Sequence, residues 1–234
     1  MSTVYAFIVN FNRLELPRRM ADFIADSPGT IPVIVDNAST YPPLLKYYET
    51  CPHKVIRLDR NWGNCVLWHG PGNNQAILNE FGLDGHFIIT DPDLDLTGIP
   101  KDWLHELEVG LEVDNPRAWK SGFSLKIDDL PPDVHHQQGM EWSRPIHGGR
   151  FYQASIDTTF CLCRTRKHDF AAIRTGPPYT ARHMPWYYQT VEDLPADELY
   201  YLKSITPGKW NCFSGQLKKK LNIGDADDLG AKDA

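Results

Sequence analysis

The chain has 234 residues, enough for one α/β domain with a large core and short for two. Hydrophobic residues make up 41% and charged residues 23%, the balance of an ordinary soluble globular protein. Lys plus Arg number 24 against 30 Asp plus Glu, a formal charge of -6 that argues against a dedicated nucleic-acid binder.

Val4–Phe11 is β-branched and aromatic and reads as the first strand, turned by Asn12-Arg13. Leu16, Met20, Phe23 and Ile24 recur at helical spacing, so Leu16–Ala25 is expected to be a helix with Pro17 in its first turn. Ile31–Val35 is a second strand that runs into the polar turn Asp36-Asn37-Ala38-Ser39-Thr40. A short helix is expected over Pro42–Tyr48, a third strand over Lys54–Leu58, and a helix over Pro71–Phe81.

The stretch His86–Asp95 (HFIITDPDLD) organises the chain. Its apolar run reads as a buried strand, and Asp91, Asp93 and Asp95 follow at every second position, where a strand of an α/β sheet delivers residues to the crevice at its carboxyl end. Like charges so close repel one another unless a cation holds them, and Mg²⁺ or Mn²⁺ bound to ligand phosphates would do so. An acidic surface turn is the plainer alternative, since Asp-Pro favours turns.

Lys101–Val113 carries Trp103, Leu104, Leu107 and Leu111 on one stripe and is expected to be a helix. Ala118–Ile127 reads as a strand, Asp133–Gly149 as an exposed loop, Ser155–Cys163 as a strand and Lys167–Ile173 as a short helix. Thr175–Tyr188 reads as an aromatic-rich loop or turn of helix and Ala196–Ser204 as a last helix. From Asp225 onward the tail is small, acidic and expected to fray. Residues 1–224 therefore read as a single domain. The order is the βαβ pattern of a mostly parallel central sheet flanked by helices. Neither a Gly-x-Gly-x-x-Gly fingerprint nor a Gly-x-x-x-x-Gly-Lys-Ser/Thr loop is present.

The five cysteines form no framework spacing and read as reduced core residues, which with the lack of a signal-like start implies a cytoplasmic location. No apolar stretch is long enough to span a membrane. Lys218-Lys219-Lys220 leaves peripheral contact with a membrane face open, though a solvated helix face explains the run as well. His135-His136 lack further ligands at zinc spacing and read as loop residues.

Four junctions in order carry a resemblance: Asn10-Phe11-Asn12-Arg13, Val35-Asp36-Asn37-Ala38-Ser39-Thr40, Asn61-Trp62-Gly63-Asn64 and Thr90-Asp91-Pro92-Asp93. Together they resemble a small GT-A glycosyltransferase of the family-2-like group. That resemblance implies a GT-A fold, a nucleoside-diphosphate sugar (UDP- or GDP-sugar) as donor, a glycan hydroxyl as acceptor, and Mn²⁺ or Mg²⁺. It implies that Asn10, Asp36, Asn37, Asn61, Asp91 and Arg182 contact the donor. Asp91, Asp93 and His183 would meet the metal, with Ile156-Asp157-Thr158-Thr159-Phe160 beneath the sugar and Arg182–Tyr187 closing over it. Family-2 members usually carry a carboxylate pair in that late segment, whereas here His183 stands alone and no carboxylate follows until Glu192.

Asp36 is either a base acceptor or a cap after its strand. Asp95 reads as a residue that either supports the ligands from behind or caps its loop, rather than a direct ligand. Asp157, an acid in an otherwise apolar or β-branched run, needs partners or a function: sugar contact, proton abstraction from the acceptor, or pinning of backbone N–H groups. His183 is open to three functional roles, as metal ligand, phosphate donor or base, or is a plain core histidine. Arg174 is a further cation for the diphosphate, and Tyr152, Trp186, Tyr187 and Tyr188 suit either an acceptor sugar or ordinary packing. Nucleotidyl transfer, and a non-catalytic sugar-binding relative, are the competing functions.

Overall fold

Strand β1 (Val4–Asn10) shows why the sheet is buried on both sides: its inward positions alternate between two cores. Ala6 and Ile8 belong to one core with Met20, Ile24, Trp103 and Leu107, while Phe7 and Val9 belong to another with Val33, Val35 and Ile77. In the computed structural model, residues 3–63, 66–67, 75–82, 85–113, 118–132, 134, 142–165, 171–205 and 212–225 are described. Among them β1 pairs in parallel with β2 (Thr30–Asp36) and with β4 (His86–Thr90), and β2 with β3 (Lys54–Arg57). The connections are α1 (Glu15–Ala25), α2 (Pro42–Tyr48) and α3 (Gln75–Glu80). This half follows the sequence expectation closely.

The second half does not, and the sheet is mixed rather than mostly parallel. After β5 (Leu94–Asp95) and α4 (Trp103–Glu112), β6 (Ala118–Gly122) joins the large sheet. The expected strand Ala118–Ile127 is broken there: Phe123 donates its N–H to the Phe160 carbonyl, and β7 (Ser124–Leu125) enters a separate three-stranded sheet. The stretch read as one exposed loop contains β8 (Pro145–Ile146) and a 3-10 turn at His147–Gly149, before β9 (Phe151–Gln153); His135-His136 lie outside the described residues.

Strand β10 (Cys161–Arg164) runs antiparallel to both β4 and β6. The stretch read as a helix over Lys167–Ile173 is, in its described part, the start of β11 (Ala171–Thr175). Inside the supposed aromatic loop lies β12 (Thr180–His183), followed by a 3-10 turn at Met184–Trp186. Nine strands form the large sheet in the order β3-β2-β1-β4-β10-β6-β11-β9-β8, and β5-β12-β7 the small one. Helix α5 (Ala196–Ser204) is as expected but not last, since α6 (Cys212–Lys220) packs behind it. Lys218 is buried, its Nζ bonded to the Ile205 carbonyl and to Asp225, so that lysine is no part of a solvated face. Most of the acidic tail lies outside the described residues.

Cys161 and Cys163 are buried thiols on one face of β10, their sulfurs 3.7 Å apart. Among the described residues no helix is long and apolar enough to cross a membrane.

Helix α1 begins without a cap of its own, because Leu14 at its N-terminus has no side-chain acceptor. Asp197, on α5, supplies one: its Oδ2 accepts from the Leu14 N–H at 2.7 Å and the Glu15 N–H at 2.9 Å. Asp197→Ala is therefore expected to cost about 1–2 kcal/mol, read as a lower urea midpoint at unchanged slope. A midpoint equal to wild type would show that water replaces the carboxylate without loss.

Candidate functional site

The parallel half delivers its loops to one edge. The β1–α1 loop, the β2–α2 loop, the turn after β3 and the acids after β4 all leave carboxyl ends of neighbouring strands. Two of these turns use left-handed backbone, with φ +57° at Asn12 and +58° at Ala38. Asn12 joins the first two loops: its N–H donates to Ser39 Oγ, and its Oδ1 accepts from the Thr40 and Tyr41 N–H groups.

Asp36 is fully buried, and its carboxylate accepts from the Ser39 N–H, the Tyr48 hydroxyl and Arg57 Nε. Asn37 bridges to the next loop, accepting from the Trp62 N–H and donating to the Gly63 carbonyl. Asn61 accepts from the Gly63 N–H. Asn10 donates to the Arg13 carbonyl and Tyr48 Oη, leaving its buried Oδ1 without a partner among the described residues. Arg57 is the cation nearest Asp36, and Trp62 carries the Arg60 guanidinium over its ring at 4.1 Å.

The acids after β4 separate into different environments. Asp91 is half-buried; its Oδ1 accepts from Thr158 Oγ1 at 2.6 Å, and its N–H donates to the Thr158 carbonyl. Burial, then the charges of Asp93 and Asp157, push its carboxyl up to about 7. Asp93 is buried, with Oδ2 3.4 Å from Arg13 Nη2 and 3.5 Å from His183 Nε2. Burial alone would raise its pKa, but His183 and Arg13 outweigh that and hold it well below the carboxylate range. Its other oxygen, Oδ1, is buried with no hydrogen-bond partner among the described residues. Asp95 accepts from the Thr97 N–H and hydroxyl and from Arg19, so it caps its own turn as expected.

His183 ends β12, where the β5–β12 pairing sets it opposite Leu94 and its ring meets Trp186 and Phe213 edge-on. Burial lowers its pKa, yet Asp93 more than offsets this and the imidazole is raised above its ordinary value. Its Nδ1 also has no hydrogen-bond partner among the described residues. Asp157 is not in a strand. It is exposed in the loop before β10, and its Oδ1 accepts from the Thr159 N–H and hydroxyl. Desolvation opposes the charge there, but these bonds prevail and keep the carboxyl below its ordinary value. Arg182 is bound to Asp129 through Nε and Nη2, and Tyr187 donates to the same carboxylate. Arg174 is buried against the carbonyls of Ser155 and Phe123. Trp186 and Tyr188 are buried, and Tyr152 lies on β9 near the far edge of the large sheet.

Among the described residues, no group of three or more His, Cys, Asp or Glu side chains is arranged to hold a metal ion. The expected set of Asp91, Asp93 and His183 is thus not preformed, because Asp93 turns one oxygen to Arg13 and His183 while Asp91 turns to Thr158. Its chemistry still fits a hard divalent ion: Asp93 Oδ1 is a buried carboxylate oxygen without a hydrogen-bond partner among the described residues, beside Asp91, whose carboxyl is raised by burial and by the charges of Asp93 and Asp157.

Two residues were not anticipated from sequence. Arg13 is buried and forms a two-pronged pair with Glu198 of α5 at 2.6 and 3.0 Å, with the Tyr201 ring 3.6 Å from its guanidinium carbon. Arg13 stood in a turn motif, but no local pattern announced Glu198.

No family model and no curated protein matches the chain. Among solved structures it is similar to glucosyl-3-phosphoglycerate synthase from Mycobacterium tuberculosis in complex with phosphoglyceric acid. That match has 12% identity over 70% of this chain and 57% of that one, with TM-score 0.39. A complex of the same enzyme with Mn²⁺, UDP-glucose and phosphoglyceric acid gives 12%, 70%, 56% and 0.38. It is also similar to 4-diphosphocytidyl-2C-methyl-D-erythritol synthase, at 13% identity over 96% of this chain and 88% of that one, TM-score 0.37. The chain spans little more than half the length of the first two. Overlays this loose carry no argument about activity.

Proposed function

We propose that this chain is a GT-A-like glycosyltransferase that moves a sugar from a UDP- or GDP-sugar to a hydroxyl of a glycan acceptor. Residues 1–95 would be the nucleotide half and 96–224 the sugar and acceptor half. The observation that carries the reading is the unmet carboxylate at the carboxyl edge of β4. Burial and the charges of Asp93 and Asp157 raise the Asp91 carboxyl, and Asp93 Oδ1 is buried without a partner among the described residues. Mn²⁺ or Mg²⁺ held through Asp91 and Asp93 would neutralise the diphosphate that leaves as the glycosidic bond breaks.

In this reading His183 faces the ion or the diphosphate. Against the pull of burial, Asp93 holds the imidazole pKa above its ordinary value, so binding a metal ion there would compete with its proton. Asp157 takes the sugar-contact part of its expected roles, since a carboxyl held below its ordinary range is a poor base near neutral pH. Asn10, Asn37 and Asn61 would line the nucleotide, and Arg182 would close the late segment against Asp129. The loop after β1 is a poor fit for nucleotidyl transfer, as its basic residue, Arg13, is locked to Glu198.

Thermal-shift titration with UDP-, GDP-, dTDP- and CMP-sugars, with and without Mn²⁺, tests this directly. A stabilisation that requires both metal and one nucleotide class is expected. Asp93→Asn should abolish the metal-dependent part while the protein stays folded. Calorimetry showing the same metal-dependent affinity in that variant would remove Asp93 from the site.

A further inference from the structure

Arg13 is buried, and its guanidinium is held on three sides. Glu198 takes Nε and Nη2 in a fork, the Tyr201 ring lies against the planar face, and the same Nη2 reaches Asp93 Oδ2. His183 Nε2 converges on that oxygen from β12. Two donors thus meet on Oδ2, and Oδ1 is left as the free oxygen.

We propose that Arg13 is the positioning residue that sets the orientation of the Asp93 carboxylate, and that Glu198 on α5 fixes Arg13 in turn. The inference rests on the reading above for its consequence, namely that a correctly turned Asp93 is what a divalent ion and a diphosphate need. The chain of contacts is short and specific: the Glu198 carboxylate fixes the guanidinium plane, and the plane fixes which Asp93 oxygen is occupied. Lysine at position 13 would keep the charge and lose the fork, because an ammonium has no plane for Glu198 to hold.

The test uses the full-length protein with its aspartate carboxyl carbons isotope-labelled, freed of metal by a chelator and observed by NMR at neutral pH. Asp93 is assigned by its loss in Asp93→Asn. Arg13→Lys and Glu198→Gln should each move the Asp93 resonance and leave that of Asp129, which pairs with Arg182, in place. A purely structural role for the pair would lower stability without a selective shift at Asp93. Should Glu198→Gln not fold, Arg13→Lys carries the test alone. Calorimetry with Mn²⁺ and uridine diphosphate should then show affinity in Arg13→Lys reduced about tenfold. An unmoved Asp93 resonance, or an affinity equal to wild type, overturns the proposal. If the wild type itself shows no metal-dependent nucleotide binding, the glycosyltransferase reading falls, and the resonance alone decides whether Arg13 positions Asp93.

Discussion

Replacing Glu198 by alanine is expected to destabilise the protein by about 3–5 kcal/mol, the cost of stranding a buried charge. Arg13 and Glu198 are 4% and 2% exposed, and the arginine cannot shed its proton to escape. What remains to it is Asp93 at 3.4 Å and the Tyr201 ring, which favours the lower end of that range. A matched control is present in the same molecule. Arg150 grips Glu106 with a similar fork, at 2.9 and 2.6 Å, but its side chain is 54% exposed. Glu106→Ala leaves that exposed guanidinium to water and should therefore cost less than Glu198→Ala does. Urea unfolding of both variants at constant slope reads the difference. A Glu198→Ala variant within about 1 kcal/mol of wild type would mean that the site relaxes enough to rehydrate Arg13.

Asp91→Asn is expected to stabilise the metal-free protein at alkaline pH, an unusual sign for a substitution in a candidate site. The folded protein keeps the Asp91 proton up to about 7, whereas the unfolded chain loses it near the ordinary carboxylate value of about 4. Between those values the native state binds more protons, so stability falls as pH rises. The amide removes that titration while keeping an oxygen for Thr158. Holding a carboxyl neutral that far is worth at most about 4 kcal/mol. The side chain is only half-buried, so a gain of about 2 kcal/mol at about pH 8 is expected, vanishing at about pH 4. His183 adds a slope of the same sign, present in both proteins: its raised pKa stabilises the fold at acid pH, and that share is lost as pH rises through it. Metal-dependent nucleotide binding should for the same reason strengthen as pH rises through about 7, when Asp91 sheds its proton. Chelator-treated samples unfolded in urea at the two pH values decide the matter. A variant less stable than wild type at the alkaline value would show that Asp91 is not strained by its neighbours.

The carboxylates of the site were legible because a strand announces where it ends. His86–Thr90 is apolar and β-branched, and the acids begin at the next residue. Helices α2 and α5 have the bounds expected of them, Pro42–Tyr48 and Ala196–Ser204. Asp157 was misplaced for a definite reason. The run that follows it has strand propensity, but an Asp followed by two Thr can bond its own backbone, and Asp157 accepting from the Thr159 N–H makes a turn instead. That competing local bond was the available signal. The break at Phe123 had none, because the residues on either side are equally suited to a strand and only the pairing with Phe160 separates the two sheets. Lys218 followed two rules at once: its helix presents lysines to water, but the carbonyl of Ile205 needed a donor. Glu198 could not be read at all, since its partner stands 185 positions away.

That distance bears on how the molecule is made. Asp197 reaches Leu14 across 183 positions, and Asn12 Nδ2 reaches Ser204 across 192. During synthesis the first four strands and their helices emerge long before α5, so β1, β2 and β4 can pair while the first loop still lacks its guanidinium clamp and the first helix its cap. Closing such long loops is entropically slow and comes after local structure. The acidic edge is therefore completed last: a nascent chain can hold the sheet, but it acquires an ordered Asp93 only when the final helices dock.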